Sequence, residues 1–177
     1  HMRIKILLTF ALHIFFTACS DQNKKTNYVN PFIGTGAHGH TFPGATTPFG
    51  MVQLSPDTRV GNWDACSGYH HSDSGILGFS HTHLSGTGSI DLGDILIRPT
   101  LRSLTSIVAD GKITTTPFKH DDEEATPGYY KVLLNNESIT CELTATRRTG
   151  IHRYLYPEGA RPHIIMAVSY THLRDHE

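Results

Sequence analysis

The fold class is set by residues 139–146, which read Ile-Thr-Cys-Glu-Leu-Thr-Ala-Thr. Apolar and polar side chains alternate from Ile139 to Ala145, which is the two-residue period of a strand buried on one face. No window after residue 28 has the apolar period of an amphipathic helix. Short β-rich runs recur instead between turn residues, at positions 51–55, 76–79, 95–97, 112–116, 129–134, 151–156 and 163–168. This pattern predicts an all-β protein, and we expect an antiparallel β-sandwich.

The composition excludes several classes of protein. The 177 residues carry 15 Lys and Arg against 16 Asp and Glu, so the net charge is −1. A nucleic-acid binder that relies on a basic excess is therefore not expected. Three Cys are too few for a disulfide scaffold. We expect Cys66 and Cys141 to remain unpaired, although an exported protein could bridge them.

Residues 1–27 read as an export signal and a tether. Arg3 and Lys5 precede a mostly apolar run at positions 6–18, which is too short to span a bilayer and is typical of a signal peptide. Small residues ahead of Cys19 resemble a lipoprotein box, so we expect Cys19 to be lipidated after cleavage. An ordinary signal with an incidental Cys is the alternative. Either reading predicts export, to the periplasm or the outer membrane or cell surface, with membrane contact only through the lipid anchor.

Glycine and histidine are concentrated between residues 30 and 90. The stretch at 30–44 holds four Gly and two Pro, so it is expected to be a loop whose backbone approaches a ligand or another segment closely. No helix pattern follows it, which excludes a phosphate-binding loop. Six of the 13 His lie in one nearby region: His38, His40, His70, His71, His81 and His83.

These histidines fit a polar sugar pocket better than a metal centre, because their spacing matches no metal signature. Trp63 offers an aromatic plane for the C–H face of a sugar, and the neighbouring Asp64 can accept hydrogen bonds from hydroxyls. The alternatives remain open: Trp63 can be a core side chain, and the imidazoles can bond to buried loop carbonyls.

Two acidic segments are weaker candidates for a site. Asp91 and Asp94 can be an acid–base pair or turn residues. The run at 121–124, with His120 directly ahead of it, is expected to be solvated.

Several ordered motifs resemble the N-terminal domain of glycoside hydrolase family 92, the exported bacterial α-mannosidases. They run from about residue 28 to 166 and read VNPFIGTG at 29–36, GHTFPGA at 39–45, PFGMV at 48–52, GFSHTHLSGTG at 78–88, PGYY at 127–130 and ELTAT at 142–146. The resemblance implies a β-sandwich over residues 28–167, followed in the whole enzyme by a larger α/α-barrel. Residues 168–177 depart from the family pattern and are expected to be a non-native tail.

The resemblance also implies calcium-dependent hydrolysis of α-mannosides with inversion. Inversion needs two carboxylates about 6.5–9.5 Å apart. In the family these acids and most calcium contacts lie in the barrel, so no catalytic residue or metal ligand is expected in this chain. We therefore expect an inactive fragment whose loops complete the sugar pocket. A stand-alone carbohydrate-binding sandwich and a His-rich metallohydrolase are the alternatives. The expected substrate-binding residues are Gly34, Thr35, Gly36, His40, Trp63, Asp64, Tyr69, His81 and His83.

Overall fold

A computed structural model describes residues 25–61, 63–89, 92–109 and 112–168. The expected signal segment, the expected lipidation site Cys19, the acid Asp91 and the expected tail beyond residue 168 lie outside these ranges. In the described ranges, no helix has the length and apolar character needed to cross a bilayer.

Short antiparallel strands build the described part of the chain. They are β1 (Ala45–Thr46), β2 (Gln53–Asp57), β3 (Gly75–Ile76), β4 (Gly78–Ser80), β5 (Ile95–Thr100), β6 (Val108–Ala109), β7 (Lys112–Ile113), β8 (Thr116–Pro117), β9 (Glu123–Thr126), β10 (Tyr129–Leu134), β11 (Ile139–Ala145), β12 (Gly150–Leu155) and β13 (His163–Val168). Within the described residues, helical geometry is limited to the 3-10 turns Lys25–Tyr28, Trp63–Ala65 and His120–Asp122 and one α-helical turn, Leu104–Ile107.

Two sheets form the sandwich and confirm the predicted fold class. One has the strand order β1-β2-β4-β5-β13, and the other has the order β12-β11-β10-β9. Strand β11 packs across the gap against β1 and β2. Two small pairs, β3 with β8 and β6 with β7, complete the described strands. All pairings are antiparallel.

The core lies between the sheets and follows the predicted alternation. On β11, Ile139, Cys141 and Leu143 are buried, as the sequence pattern required. They meet Leu54 and Phe79 from the other sheet in one hydrophobic cluster. Burial of such side chains stabilises the fold by about 1.5–3 kcal/mol each. Cys66 and Cys141 are both free thiols, which confirms that they do not pair.

The structure corrects two strand predictions. Strand β5 does not stop at Pro99 but continues to Thr100. Pro99 stands opposite Ile164 of β13, whereas β4 pairs with β5 only at Leu96 and Ile97. Pro99 therefore lies in a part of β5 that is paired on one side alone, as is usual for proline in a sheet. The run at 112–116 is divided between β7 and β8, which belong to different sheets.

The core-facing side of the five-stranded sheet is covered only in part. Directly opposed residues of an antiparallel pair share a face, and Phe79 opposes Ile97, which opposes Met166. Phe79 is fully buried against the ring of Tyr154 on β12, whereas Met166 is 64% exposed. Ile164 and Val168, on the same face of β13, are equally exposed. An apolar face therefore continues past the edge of the covering sheet.

Candidate functional site

The glycine-rich loop at 30–44 folds back on itself. Thr35 N–H donates to the Phe32 carbonyl and Thr41 N–H donates to the Gly34 carbonyl, both at 3.2 Å. Gly34 has a φ of +82°, and a Cβ on Gly39 would lie 2.2 Å from the Gly34 oxygen. Glycine is required at Gly39 by this contact. This close turn positions His38 and His40, which flank Gly39.

His40 is held in a backbone conformation that few side chains adopt. Its φ is +52°, in the left-handed region, which is uncommon for a residue other than glycine. The Gly86 N–H donates to its carbonyl at 2.6 Å, so the loop at 30–44 is tied to the loop at 81–89. Only 7% of His40 is exposed. Backbone strain of this kind is concentrated at functional sites.

The loop at 30–44 and the 3-10 turn Trp63–Ala65 bring four side chains together, which we call the His–Trp cluster: His38, His40, Trp63 and Asp64. The His40 ring meets the Trp63 ring edge-on, with centroids 4.3 Å apart, and the His38 ring lies 5.0 Å from it. His38 Nδ1–H donates to Asp64 Oδ1 at 2.8 Å, and His40 Nε2 lies 3.5 Å from the same oxygen. Trp63 itself remains 55% exposed. The cluster therefore presents an indole surface beside imidazole and carboxylate groups.

Charge and packing hold the cluster in this arrangement. The hydrogen bond from His38 lowers the pKa of Asp64. Partial desolvation raises this pKa, but a weaker hydrogen bond from His40 lowers it further, so the net shift is downward. The carboxylate is therefore ionised at neutral pH and acts as an acceptor. Gly88 lies against the indole, and a Cβ there would be 2.3 Å from Trp63 Nε1. A side chain at this position would displace Trp63.

His83 lies below the loops in a buried ion pair and not in the His–Trp cluster. Its Nε2–H donates to Asp57 Oδ1 at 2.8 Å and its Nδ1–H donates to the Gln53 carbonyl at 2.7 Å. Burial disfavours the cation, but the charge and hydrogen bond of Asp57 outweigh this, so the pKa of His83 is raised. Both side chains are 2% exposed. His83 therefore supports the loops from beneath.

His81 lies at a third place, between the two sheets. Its Nε2 is 3.1 Å from His152 Nε2, and His152 Nδ1 is 2.6 Å from the Tyr154 hydroxyl. Burial lowers the pKa of His152 to about 4, and the nearby His81 adds to this. Burial also lowers the pKa of His81. Both rings are therefore neutral at physiological pH, and one donates to the other.

Tyr69 belongs to a second cluster around Glu123, which we call the Glu123 cluster. Tyr69 OH donates to Glu123 Oε2 at 3.0 Å, and Tyr130 OH donates to Oε1 at 2.6 Å. His120 Nδ1–H donates to Oε2 at 2.8 Å, and the His71 ring stacks on His120 with centroids 4.2 Å apart. The prediction that the acidic run at 121–124 is solvated is thus wrong for Glu123, whose side chain is 1% exposed.

The structure brings together three of the expected substrate-binding side chains, His40, Trp63 and Asp64. Gly34, Thr35 and Gly36 shape the loop beside them, and Thr35 is buried with its Oγ1–H donating to the Phe32 carbonyl. The structure does not bring Tyr69, His81 and His83 to this surface, for they lie in the three places described above. His38 was missing from the expected set, although its spacing from His40 was the signal that could have found it.

The sequence resemblance implies calcium, which binds oxygen ligands. Among the described residues, two groups place three ligand atoms within 4.8 Å of one another: His38 with His40 and Asp64, and His71 with His120 and Glu123. Each group offers two imidazoles and one carboxylate. Ca²⁺ takes six to eight oxygen ligands, so neither group fits it.

A family model described as the glycosyl hydrolase family 92 N-terminal domain matches residues 28–176. A relative from Arthroderma benhamiae (strain ATCC MYA-4681 / CBS 112371), described as an uncharacterized secreted glycosidase, is 30% identical over 168 residues. That alignment covers 89% of this chain and 21% of the relative.

Solved structures agree with the family match. A family GH92 alpha-mannosidase from Bacteroides thetaiotaomicron, in complex with mannoimidazole, superposes with a TM-score of 0.78 at 40% identity, over 84% of this chain and 20% of its own. A family GH92 inverting mannosidase from Bacteroides thetaiotaomicron VPI-5482 superposes with a TM-score of 0.66 at 30% identity, over 82% of this chain and 20% of its own. This chain spans about a fifth of the length of these relatives.

Proposed function

We propose, from the premise that this chain belongs to glycosyl hydrolase family 92, that it is the N-terminal sandwich of an exported, inverting α-mannosidase. In this proposal the His–Trp cluster forms one wall of the mannoside pocket. The acids that break the glycosidic bond lie in a further domain of the whole protein. The chain alone then binds sugar weakly and does not hydrolyse it.

The exposed indole of Trp63 is the observation that carries the proposal. Its edges are fixed by His40 and Gly88, so the indole is held in place and still open to solvent. A hexose has an apolar C–H face that packs on an aromatic plane, and a rim of hydroxyls that need hydrogen-bonding partners. Asp64 accepts and His38 donates or accepts at that rim. Together these groups satisfy both needs of a neutral sugar.

The residues of this chain would bind and orient the substrate and would not transfer the proton. An inverting hydrolase needs one protonated and one ionised carboxyl group about 6.5–9.5 Å apart across the scissile bond. Asp64 is ionised and is already engaged by two imidazoles, which suits an acceptor for hydroxyls. We therefore place both catalytic carboxylates, and the calcium ligands, outside this chain.

The uncovered apolar face supports a further domain in cis. Met166 and its neighbours on β13 lie on the side of the sheet that forms the core elsewhere, yet they are exposed. An apolar sheet face of this kind is normally covered by another layer. The relatives are more than four times as long as this chain, so they contain further residues that can form such a layer.

Export is part of the same proposal. The relative from Arthroderma benhamiae is described as secreted, which agrees with the signal-like segment at residues 1–18. We propose that Cys19 carries the lipid anchor, so that the enzyme acts on α-mannosides at the periplasm or the outer surface of the cell.

Titration calorimetry with mannobiose tests the proposal. We expect millimolar binding, because half of a pocket buries little of the sugar. Asp64→Asn should weaken that binding about tenfold, since hydrogen bonds to a charged acceptor are the stronger ones. Asp121→Asn, on the exposed face of the run at 121–124, is the matched control and should bind like the parent.

Two outcomes would contradict parts of the proposal. Micromolar binding by the chain alone would favour a stand-alone carbohydrate-binding module. Turnover of an aryl α-mannoside by the purified chain, after exclusion of contaminants, would place the catalytic carboxylates within it.

A further inference from the structure

In the part of the chain that the structure describes, the buried carboxylate of the Glu123 cluster forms an ion pair with a histidine but none with a lysine or arginine. The salt-bridge partner that the structure gives Glu123 is His120, whose side chain is 36% exposed. The other donors to its oxygens are the Tyr69 and Tyr130 hydroxyls. Both hydroxyls are neutral donors, so they add no positive charge. A buried carboxylate is costly unless it is paired or bound to a metal.

Three groups of this cluster have the chemistry and the placement of metal ligands. One nitrogen each of His71 and His120 and one oxygen of Glu123 lie within 4.8 Å of one another. The Phe118 ring meets the His120 ring edge-on, with ring centroids 5.1 Å apart. The Phe32 ring lies beside the His71 ring, with centroids 6.0 Å apart. Both imidazoles are thus restricted without being sealed from solvent.

The support around the carboxylate also resembles that of a metal centre. Ligand carboxylates are usually oriented by hydrogen bonds from a second layer of groups, and Tyr69 and Tyr130 supply one such bond to each oxygen of Glu123. The hydroxyls would keep their positions if a cation replaced the proton between His120 and Glu123. His71 is exposed, so a path for ion entry and a position for water are available.

We infer that His71, His120 and Glu123 bind a transition-metal dication, with zinc as the ion that fits best. Two imidazoles and one carboxylate, with water in the fourth position, form a common tetrahedral zinc set. Zinc ligands lie about 2.0–2.2 Å from the ion and hence about 3.3 Å from one another. The 2.8 Å contact between His120 Nδ1 and Glu123 Oε2 would open slightly, and His71 would close in. The sequence had pointed to no metal ligand in this chain, and this proposal departs from that expectation.

The inference is independent of the proposed mannosidase function. The ligands join the loop around His71 to the turn His120–Asp122, so the ion would act as a cross-link between two loops of the fold. Nothing in this role requires a sugar, and failure of either proposal leaves the other standing.

Zinc titration of the whole chain, freed of metal by a chelator, tests the site. We expect one tight site by calorimetry, and Co²⁺ substituted for zinc should show the intense visible absorption of a four-coordinate ion. His120→Ala should weaken zinc binding at least tenfold, because a ligand is lost. Glu123→Gln should do the same, with circular dichroism as the check that it folds. His163→Ala removes an exposed histidine on β13 and should leave the affinity unchanged.

Three results would overturn the inference. Zinc affinity equal in His120→Ala and the parent would show that the ion binds elsewhere. Loss of binding in Asp64→Asn but not in His120→Ala would move the site to the His–Trp cluster. If the folded parent shows no stoichiometric zinc site, the hydrogen bonds from His120, Tyr69 and Tyr130 are enough to satisfy Glu123.

Discussion

Breaking the buried pair of His83 and Asp57 should be one of the most destabilising single changes in this domain. Both side chains are 2% exposed, and the pair lies directly under the loops that carry the His–Trp cluster. Gly68 packs against it so closely that a Cβ there would be 2.1 Å from Asp57 Oδ1. Asp57→Asn removes the charge and keeps the shape of the side chain, so it isolates the electrostatic part.

The magnitude follows from burial. Breaking a buried pair by removing one partner costs about 3–5 kcal/mol. The matched control is Asp73→Asn, whose partner Arg59 and whose own side chain are about a quarter exposed. This pair is more solvated than that of His83 and Asp57, but Arg59 binds Asp73 through two nitrogens, so breaking it should cost less, about 1.5–3 kcal/mol. The two variants make the same chemical change, so the difference between their losses in unfolding free energy measures the effect of burial.

Urea unfolding followed by circular dichroism provides the assay. With a slope of about 2 kcal/mol per molar urea, Asp57→Asn should lower the midpoint by about 2 M. The cost should also depend on pH. The pKa of His83 is raised in the folded state, so its stabilisation is complete below the unfolded pKa of about 6.5 and is lost as pH rises through the folded pKa. Equal costs for Asp57→Asn and Asp73→Asn, or a parent chain whose stability rises across that pH range, would refute this reasoning.

Three further predictions concern the pocket, the core and the thiols. Gly88→Ala should weaken mannobiose binding several-fold in calorimetry, because the added carbon would lie 2.3 Å from the indole nitrogen; an unchanged affinity would contradict the assigned role of that indole. Leu143→Ala should destabilise the fold by about 2–5 kcal/mol in urea unfolding, whereas Leu155→Ala, at a half-exposed position, should have a much smaller effect. Cys66 and Cys141 should resist alkylation in the native chain and react fully in urea without reductant, since both are buried free thiols; peptides that stay unlabelled in urea would indicate a disulfide.

Regular alternation made much of the fold predictable. Strands β10 and β13 begin and end where their apolar runs do, and β11 buries the residues that its pattern selects. The pattern was less informative where a strand has only two residues or where its partner lies far away in sequence. The split of residues 112–116 between β7 and β8 depends on such distant pairing, because β8 pairs with Gly75–Ile76.

The site was only partly predictable for a geometric reason. His81 and His83 were both expected to line the sugar pocket, but β4 ends at Ser80. Beyond that point the chain turns, so His81 lies between the sheets and His83 lies under the loops. His40 and Trp63 meet because the fold brings two loops together. No local pattern in the sequence specifies that contact.

Glu123 shows a different limit of sequence interpretation. It stands second from last in a run of four acids, and such runs are usually solvated. The 3-10 turn ends at Asp122 and β9 begins at Glu123, so the strand period starts inside the run. Glu123 then faces inward while Glu124 faces solvent. The uniform charge of the run concealed this change of period.

The single tryptophan of the chain allows the most direct test of the central claim that the His–Trp cluster is a sugar-binding wall. In a nitrogen-15 labelled sample, one indole N–H resonance reports Trp63 alone. Added mannobiose should shift that resonance progressively at millimolar concentrations and should do so far less in Asp64→Asn. An indole resonance that stays fixed while the sugar is raised to saturating levels, or that moves equally with a non-sugar polyol, would contradict the account.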